Sequence, residues 1–414
     1  MGLNAALRRF AADVPHVLVA QSPAGTAARL AVENVLRVRG WPEAASPADA
    51  DLLVVTGPED PGLAEFFDQA WGQVPGPRAR VHVPGADDAV GALDEGKSAL
   101  AAAEPAAQHD SHSRPSRGGS DHQHDPSAGH GGDAGAHHDP GSDHQHGHGS
   151  GEDLPGGLAM AERGDDRDGL TLDQLHVPLG PVLPAWPAGL VLRTTVQGDV
   201  LQDVRVAGHR RAGPADAFWT APWHRADTGH AVTIGEATRR RAGAHLDSLA
   251  RVLTVVGWPD AACRARRVRD AVLASAPAAQ VASAWFKLAG RLRRSRTLRW
   301  LTDGLGVLSS EEAAQAGVTG PALRASRASG DVSARWAIWL DELDELLPHV
   351  DDVGRLTDDV EPPRGQGGSA PLLAVLPDLL EGTEFATARL IVASFDPDLA
   401  ELTSEELAAG FLDG

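Results

Sequence analysis

The sequence predicts an α/β domain with a small, doubly wound parallel sheet, followed by an α-rich domain of the α+β class. Short apolar runs alternate with helical patterns over residues 14–85, which is typical of parallel strands joined by helices. The second half of the chain has long helical periodicities and one hairpin pattern. We expect the α/β domain at residues 1–104, a linker at 105–157 and the α-rich domain at 158–414.

Two short apolar runs in the first domain, at residues 17–20 and 51–56, predict strands, and residues 78–83 predict a third. The continuous apolar character of the first two runs is typical of parallel strands that are buried on both faces. Helical spacing predicts two helices between them, at residues 26–39 and 61–73. The alternation of strands and helices predicts a parallel sheet with right-handed crossovers.

Residues 105–157 are rich in Gly, Ser, Asp, Pro and His and contain almost nothing to bury, which predicts a disordered linker. The linker holds ten of the 18 histidines, and neutral imidazoles bind Ni²⁺, Zn²⁺ or Cu²⁺. Two interpretations stay open: a solubilising tether that binds divalent metal adventitiously, or a tract that handles metal in the cell. The candidate metal ligands are His122, His124, His137, His138, His144, His146 and His148.

The second domain begins with two strand patterns, at residues 189–195 and 199–206, and Gln197-Gly198 between them predicts a β-hairpin. Apolar positions at helical spacing follow over much of the remaining chain. The apolar run at residues 390–393 predicts one further strand. The predicted helices cover residues 235–256, 261–274, 279–293, 331–347 and 371–380.

The composition excludes several classes of function. A net charge of −20 argues against nucleic-acid binding, and against docking on anionic lipid through a basic patch. No apolar run is long enough to span a bilayer, and the first residues lack the apolar core of a signal peptide. The expected location is therefore the cytoplasm. Cys263 is the only cysteine, so the chain alone cannot form a disulfide or hold a cysteine-ligated cluster.

Four segments of the second domain resemble one known family. Thr319-Gly-Pro-Ala-Leu-Arg-Ala-Ser326, with Asp331 and Arg335 after it, is similar to a T-G-P-x-x-R-A-S-G…D…R segment. That segment belongs to the quinone-proximal large subunit of respiratory complex I and to the large subunit of membrane-bound NiFe hydrogenases. The other similar segments keep the family's order and are residues 179–200, Glu361-Pro-Pro-Arg-Gly365 and residues 390–398.

The first domain resembles the cluster-carrying small subunit of the same enzymes, at residues 51–58 and 67–75. The resemblance implies a fusion of small- and large-subunit homologues, in which the α-rich domain has the large-subunit fold. It implies a peripheral-arm subunit of a complex I-like or energy-converting-hydrogenase-like NADH/quinone oxidoreductase. The implied partners are the other subunits of that complex, including proton-translocating membrane subunits at the inner face of the plasma membrane.

The family's redox ligands are missing from the matching positions. Asp398 stands where the closing cysteine would be, Leu183 stands where the opening G-P-x-H-P motif has histidine, and the sequence has no tyrosine. We therefore expect a structural or coupling subunit with no iron–sulfur cluster and no NiFe centre. One alternative is a quinone-binding oxidoreductase subunit with His176, Trp186 or Arg324 as replacement donors. The other is a His-rich accessory protein that handles nickel or zinc.

The resemblance also implies a set of residues around the ancestral cavity. Arg324 either borders this cavity or lies in a helix-connecting turn, paired with a carboxylate such as Asp331. Arg364 either pairs with a buried acid such as Asp396 or lies exposed in a loop. Asp396 and Asp398 either form a paired-carboxylate or cation site or belong to a surface loop. The candidates are Leu183, Trp186, Gly320, Pro321, Arg324, Arg364, Asp396 and Asp398.

Overall fold

The computed structural model describes residues 13–103, 160–165, 171–208 and 217–403. The first range contains a three-stranded parallel sheet, and a helix follows each strand. The β-α-β-α-β order predicted from the sequence is confirmed. The strands are β1 (Val17–Gln21), β2 (Leu52–Thr56) and β3 (Ala79–Val83), and the helices are α1 (Thr26–Arg39), α2 (Ala64–Gln73) and α3 (Ala89–Ala102).

Helices cover both faces of this sheet, as a doubly wound arrangement requires. α1 and α3 pack on the face that carries Leu52 and Val54, whereas α2 packs on the face that carries Leu53 and Val55. After α1, Glu43 forms a parallel bridge to Val17 at the outer edge of β1. The chain then returns to β2 over the α2 face. Because the direction of winding reverses beside β1, the carboxyl ends of β1 and β2 flank a topological switch point.

The second sheet is antiparallel and contains four strands in sequence order. The predicted hairpin is confirmed at its last two strands, which turn through Gly198 at a φ of 65°. Leu190, Leu192 and Leu201 on this hairpin pack against the helices and join the main hydrophobic core. The strands are β4 (Met160–Asp165), β5 (Thr171–Leu179), β6 (Leu190–Gln197) and β7 (Val200–Gly208).

Helices make up most of the remaining described chain. They are α4 (Ala221–Asp227), α5 (Ile234–Val255), α6 (Pro259–Leu273), α7 (Ala278–Arg293), α8 (Arg296–Thr302), α9 (Ser310–Gln315), α10 (Gly320–Ser326), α11 (Val332–Leu346), α12 (Ala370–Ala374), α13 (Leu376–Leu380) and α14 (Phe385–Phe395). Short 3-10 helices cover Pro47–Asp49, Pro61–Leu63, Ala86–Asp88, Leu347–His349 and Leu399–Glu401.

Two sequence predictions differ from the structure here. The strand predicted at residues 390–393 is wrong, because these residues lie in helix α14. Their unbroken apolar run reflects burial around the whole helix, which periodicity alone cannot distinguish from a buried strand. The single helix predicted at residues 371–380 is divided into α12 and α13. Pro377 lacks the N–H that a continuous helix would need at that point.

Helix α5 runs through the centre of the helical region. Every residue from 242 to 250 is buried, including the polar side chains His245, Asp247 and Ser248. Buried polar groups need partners, since an unpaired one costs about 1–3 kcal/mol. These three side chains therefore indicate where polar contacts between helices are concentrated. Within the described ranges, no helix has both the length and the apolar character needed to cross a bilayer.

Candidate functional site

Three of the motif segments converge on one place in the structure, although 76 positions separate Gly320 from Asp396 along the chain. Gly320 lies directly against the backbone of Arg364 and Gly365. Arg364 Nε donates a hydrogen bond of 2.6 Å to the backbone oxygen of Asp396. The segments around Gly320, Arg364 and Asp396 therefore form a single site at the centre of the helical region.

Arg364 is the cation of this site. Its guanidinium also contacts the carboxylates of Asp396 at 3.4 Å and Glu401 at 3.0 Å, and it is 8% exposed. Burial would lower the pKa of Arg364, but the charges of Glu401 and Asp396 outweigh it and raise the pKa. Arg364 thus pairs with buried acids and does not lie exposed in its loop. Asp396 is likewise buried, so it does not belong to a surface loop.

Gly320 holds a position that no other residue fits. Its φ is +64°, and a Cβ there would lie 2.7 Å from the carbonyl carbon of Arg364 and the nitrogen of Gly365. We expect Gly320→Ala to lower the free energy of unfolding by about 2–5 kcal/mol, from left-handed strain plus backbone overlap. Gly317→Ala is the matched control, since its φ is +73° and its Cβ would meet nothing within 4 Å.

Urea denaturation of both variants measures the difference. Gly317→Ala should lose only the left-handed strain, about 1–2 kcal/mol. Equal losses in the two variants would contradict the close approach of Gly320 to the Arg364–Gly365 backbone.

The cavity bordered by these motifs is almost completely filled. His245, Ser248, Pro321, Arg335 and Arg364 line a void of only about 20 Å³. That volume accommodates roughly one water molecule. A NiFe centre needs cysteine thiolates, and the residues that line this void include none. A quinone head group is far larger than the void. The residues present at this position therefore fit neither group.

Arg335 is a buried cation whose hydrogen-bond partners are neutral groups. It is 2% exposed, and burial lowers its pKa to about 9. Its guanidinium donates to Ser394 Oγ at 2.8 Å and to the carbonyl oxygens of Gly306 at 3.0 Å and Gly330 at 2.7 Å. It also lies 4.1 Å from the ring of Phe395. These contacts hold the cation in a fixed position.

Arg324 belongs to a second cluster beside the filled cavity. Its Nε donates to Glu342 Oε1 at 2.8 Å and its Nη1 donates to Glu361 Oε2 at 2.9 Å. Arg241 also donates to Glu342 at 2.5 Å, and His245 Nε2 lies 2.9 Å from the same carboxylate. Burial would raise the pKa of Glu342, but the bond to His245 and the two arginines lower it.

The expected pairing of Arg324 with Asp331 is wrong. The Asp331 carboxylate accepts hydrogen bonds from the backbone nitrogens of Ala334 and Gly304, both at 2.8 Å. It caps the first turn of α11, because orphan N–H groups at a helix start favour a short acidic side chain. Arg324 instead lies in α10, a short helix and not a turn, and faces α11.

Glu401 lies beside Arg364 at the edge of a separate cavity of about 340 Å³, which Trp223, Asp227 and Asp358 also line. Ser369 Oγ donates to Glu401 Oε2 at 2.7 Å and accepts from the Asp398 nitrogen at 2.8 Å. Asp398 itself caps the 3-10 helix through Ala400. Burial raises the pKa of Glu401 to about 6, although Arg364 partly offsets this effect.

The raised pKa of Glu401 gives a pH dependence with a definite sign. The folded chain holds this proton more tightly than the unfolded chain, whose glutamate has a pKa of 4.5. Stability should therefore fall by about 2 kcal/mol as the pH rises from about 4.5 to about 6. Urea midpoints across this range test the expectation. Glu401→Gln should remove this slope, whereas the exposed Glu345→Gln should keep it; equal slopes would contradict the assignment.

A third cluster joins the α/β unit to the helical region, and its residues were not expected from the sequence. Asp247 of α5 accepts two hydrogen bonds from Arg29 of α1, at 3.2 and 2.7 Å. It also accepts one of 2.5 Å from Arg269 of α6, whose Nη1 lies 2.8 Å from Glu33 of α1. All four residues are at most 8% exposed, and their charges sum to zero.

The same interface has apolar and partly exposed contacts around this cluster. Leu30 of α1 packs against Trp219 and Ala244. Arg37 reaches Asp270 at 2.9 Å, and Arg266 reaches Glu43 at 2.6 Å. Arg251 lies 3.4 Å from both Asp247 and Asp396, so it connects the interface to the Arg364 site. The two sites are therefore parts of one ion-pair network through α5.

A cleft of about 720 Å³ opens beside this interface. The loop of residues 181–186 lines it, so Leu183 and Trp186 lie here and not at the filled cavity. Trp186 Nε1 already donates to Leu190 O at 2.8 Å. His176 is exposed on β5, and Arg324 belongs to the Glu342 cluster. The three proposed replacement donors thus do not meet at one site.

The loops that follow β1 and β2 are closed by contacts with each other. At the switch point between β1 and β2, Ser22 Oγ donates to the carbonyl oxygens of Thr56 and Pro58, both at 2.9 Å. A Cβ on Gly25 would lie 2.5 Å from Thr56 O. Cys263 lies on α6 and lines the cleft. These loops therefore do not fit an iron–sulfur cluster.

The histidine tract lies outside the described residues, so its seven candidate ligands stay predictions. Within the part of the chain that the structure describes, no group of three or more His, Cys, Asp or Glu side chains could hold a metal ion. The buried acids discussed above are each paired with arginine or bound to backbone nitrogens.

Comparison with known proteins gives little further information. No family model matches the sequence, and no curated protein matches it. A chain from the membrane-bound sulfane sulfur reductase, described as an archaeal respiratory membrane complex, is among the similar solved structures. The match covers 54% of this chain and 98% of that chain, with 16% identity and a TM-score of 0.40. A likeness at this level carries no argument about what the chain does.

Proposed function

We propose that the chain is a structural subunit of a membrane-associated oxidoreductase complex of the complex I or energy-converting-hydrogenase type. The single observation that supports this most is the convergence of Gly320, Arg364 and Asp396, which come from three motif segments that resemble that family. A shared ancestral site explains why segments so far apart in sequence meet. The void of about 20 Å³ beside them, whose lining includes no cysteine, supports a chain without a metal centre or quinone at this position.

In this proposal the chain has a structural role in the complex and does not transfer electrons. Its α/β unit, residues 1–104, is fixed on the helical unit, residues 158–414, by the buried ion pairs around Asp247. The two units would present one continuous docking surface to partner subunits, on the inner face of the plasma membrane. Those partners would include the proton-translocating membrane subunits and the chains that carry the redox centres.

Purification from native membranes tests this proposal. A tagged full-length chain, isolated from detergent-solubilised membranes, should bring down integral membrane subunits and iron–sulfur subunits in constant ratio, identified by mass spectrometry. An untagged strain gives the background. Recovery of the chain only from the soluble fraction, with no membrane subunit attached, would overturn the proposal.

The open cleft supports a second candidate function, in which the chain binds a quinone between its two units. The cleft has both apolar and cationic walls, from Trp41, Leu183 and Arg389 among others. Arg389 Nε has no hydrogen-bond partner among the described residues, and burial lowers the pKa of Arg389. Titration of the chain with a soluble quinone analogue tests this candidate. Saturable binding that Arg389→Leu weakens is expected, and absence of saturation would exclude it.

A further inference from the structure

One segment of the chain has a charge opposite to that of the whole. Residues 271–302 contain no Asp or Glu, in a protein whose net charge is −20. The segment includes the whole of α7 and α8. The cations that it carries are Lys287, Arg291, Arg293, Arg294, Arg296 and Arg299.

Two of these cations are neutralised by neighbouring elements, and four are not. Arg291 pairs with Asp260 at 2.6 Å, and Arg293 pairs with Asp344 at 2.8 Å. The remaining four have no carboxylate within 4.0 Å among the residues that the structure describes. They are Lys287, Arg294, Arg296 and Arg299, and all four are exposed.

Two large aromatic side chains lie among the free cations. Trp300 is 78% exposed and Phe286 is 62% exposed, the largest exposures of aromatic residues in the described chain. Trp300 follows Arg296 by four positions on α8, and Phe286 shares the outer face of α7 with Lys287. The opposite face of α7 carries Trp285, Leu288 and Leu292, which are buried. The aromatic rings therefore point outward with the cations.

Local contacts hold this surface in a fixed shape. Ser295 Oγ caps α8 by accepting from the Leu298 nitrogen at 3.1 Å. Arg299 Nη2 donates to the Arg293 backbone oxygen at 2.7 Å, at the carboxyl end of α7. Leu298 and Thr302 are buried beneath α8. A partner would thus meet a rigid surface and would not have to order it on binding.

We propose that the corner formed by α7 and α8 docks directly on an anionic phospholipid surface. Lipid phosphates present one sign of charge, which matches the four free cations of this corner. The carboxylates of Asp303 and Asp341 line a groove that they share with Arg293 and Arg299, and Asp341 pairs with Arg293 at 2.9 Å. Each Lys or Arg near such a surface contributes about 1 kcal/mol to the free energy of membrane binding. Tryptophan side chains favour the head-group region of the bilayer.

This docking differs from the expectation drawn from the net charge. Salt screens charges over about 8–10 Å, so distant acids do not cancel the field at the corner. The net charge is an average over the whole chain, whereas a membrane contacts only one face. The inference also goes beyond the proposed function, which requires contact with protein subunits alone.

Vesicle binding by the purified full-length chain tests the proposal. We expect binding to vesicles that contain phosphatidylglycerol, weak or no binding to pure phosphatidylcholine, and loss of binding as salt is raised. A chelator in the buffer removes any contribution of metal bound to the histidine tract. A neutral to slightly basic pH keeps those histidines uncharged.

Variants at the corner separate this surface from the rest of the chain. Arg294→Gln combined with Arg296→Gln should weaken binding about 30-fold, the effect of losing two surface cations. Arg205→Gln combined with Arg225→Gln removes the same charge from exposed residues elsewhere and should change binding less than about twofold. Brominated lipids should quench the wild-type fluorescence more than that of Trp300→Phe.

Three outcomes would overturn the proposal. They are absence of binding to anionic vesicles, equal weakening by the two double variants, and equal quenching in Trp300→Phe. Loss of a protein subunit from the membrane pull-down in the Arg294/Arg296 variant, with no vesicle binding by the wild type, would assign the corner to an acidic protein partner. The pull-down of membrane subunits by the wild type would still support the proposed function in each of these cases.

Discussion

Asp247→Asn is expected to lower the free energy of unfolding by about 3–5 kcal/mol, because it leaves buried arginines without their shared carboxylate. Arg29 and Arg269 both donate to Asp247, and Arg269 has no exposed surface. Burial alone would raise the pKa of Asp247, but Arg29, Arg251 and Arg269 outweigh it and lower the pKa. The carboxylate therefore stays charged across the neutral range, and its contribution is lost only in strong acid.

Urea denaturation and hydrogen exchange measure this effect. Amide hydrogen exchange should accelerate in α1 and α5 together, since the ion pair between Arg29 and Asp247 joins these two helices. Asp341→Asn is the matched control, as Asp341 pairs with Arg293 but its side chain is 67% exposed. Asp341→Asn should lower the free energy of unfolding by at most about 1 kcal/mol. A loss in Asp247→Asn no larger than in this control would show that the interface does not depend on the buried cluster.

Arg364→Met is expected to lower the free energy of unfolding by a similar amount, about 3–5 kcal/mol. It leaves the buried carboxylates of Glu401 and Asp396 without their shared cation. Arg364 normally opposes the effect of burial on the pKa of Glu401. Without Arg364 that pKa should rise further, so Glu401 would take up a proton. The loss of stability should consequently be larger at pH 8 than at pH 5.

Thermal denaturation at the two pH values tests this prediction. Arg205→Met is the control, because the side chain of Arg205 is 77% exposed and pairs with Asp203 at a distance of 3.4 Å. It should change the melting temperature little at either pH. A loss in Arg364→Met that does not depend on pH would contradict the coupling between Arg364 and Glu401.

The strands and helices were the most predictable part of this fold. The three strands of the parallel sheet and α1 follow from short apolar runs and from 3.6-residue spacing. The strand prediction at residues 390–393 failed because Ile391 and Val392 favour strands, yet these residues lie in the part of α14, residues 390–395, that is buried on all sides. Tertiary burial decided its conformation, and a single sequence does not contain that information.

The ion-pair clusters were much less predictable than the helices that carry them. Arg29, Glu33 and Arg37 follow one another at intervals of four residues on α1, a pattern that is typical of a solvent-exposed helical face. Asp247, the partner of Arg29, is 218 residues away from it, and Arg37 pairs with Asp270, which is similarly distant in sequence. The one available signal was a set of charged and polar residues on a helix that also carries a long apolar stripe: Arg239, Arg240, Arg241, His245, Asp247 and Arg251.

The resemblance located Arg364 and Asp396 at one site but assigned other residues less well. Arg364 and Asp396 do lie together, whereas Leu183 and Trp186 line the separate cleft. Arg324 binds Glu342 and Glu361 in place of Asp331. Motif order predicts which segments approach each other, but the partner of each side chain depends on packing between helices.

We propose, as the central claim, that the chain keeps the architecture of a redox subunit without a redox centre. Iron and acid-labile sulfide in the full-length chain, purified without oxygen, test this claim most directly. The account predicts amounts far below one iron and one sulfide per chain, because Cys263 is the only thiol. About four irons and four sulfides per chain, with the matching visible absorbance, would contradict it.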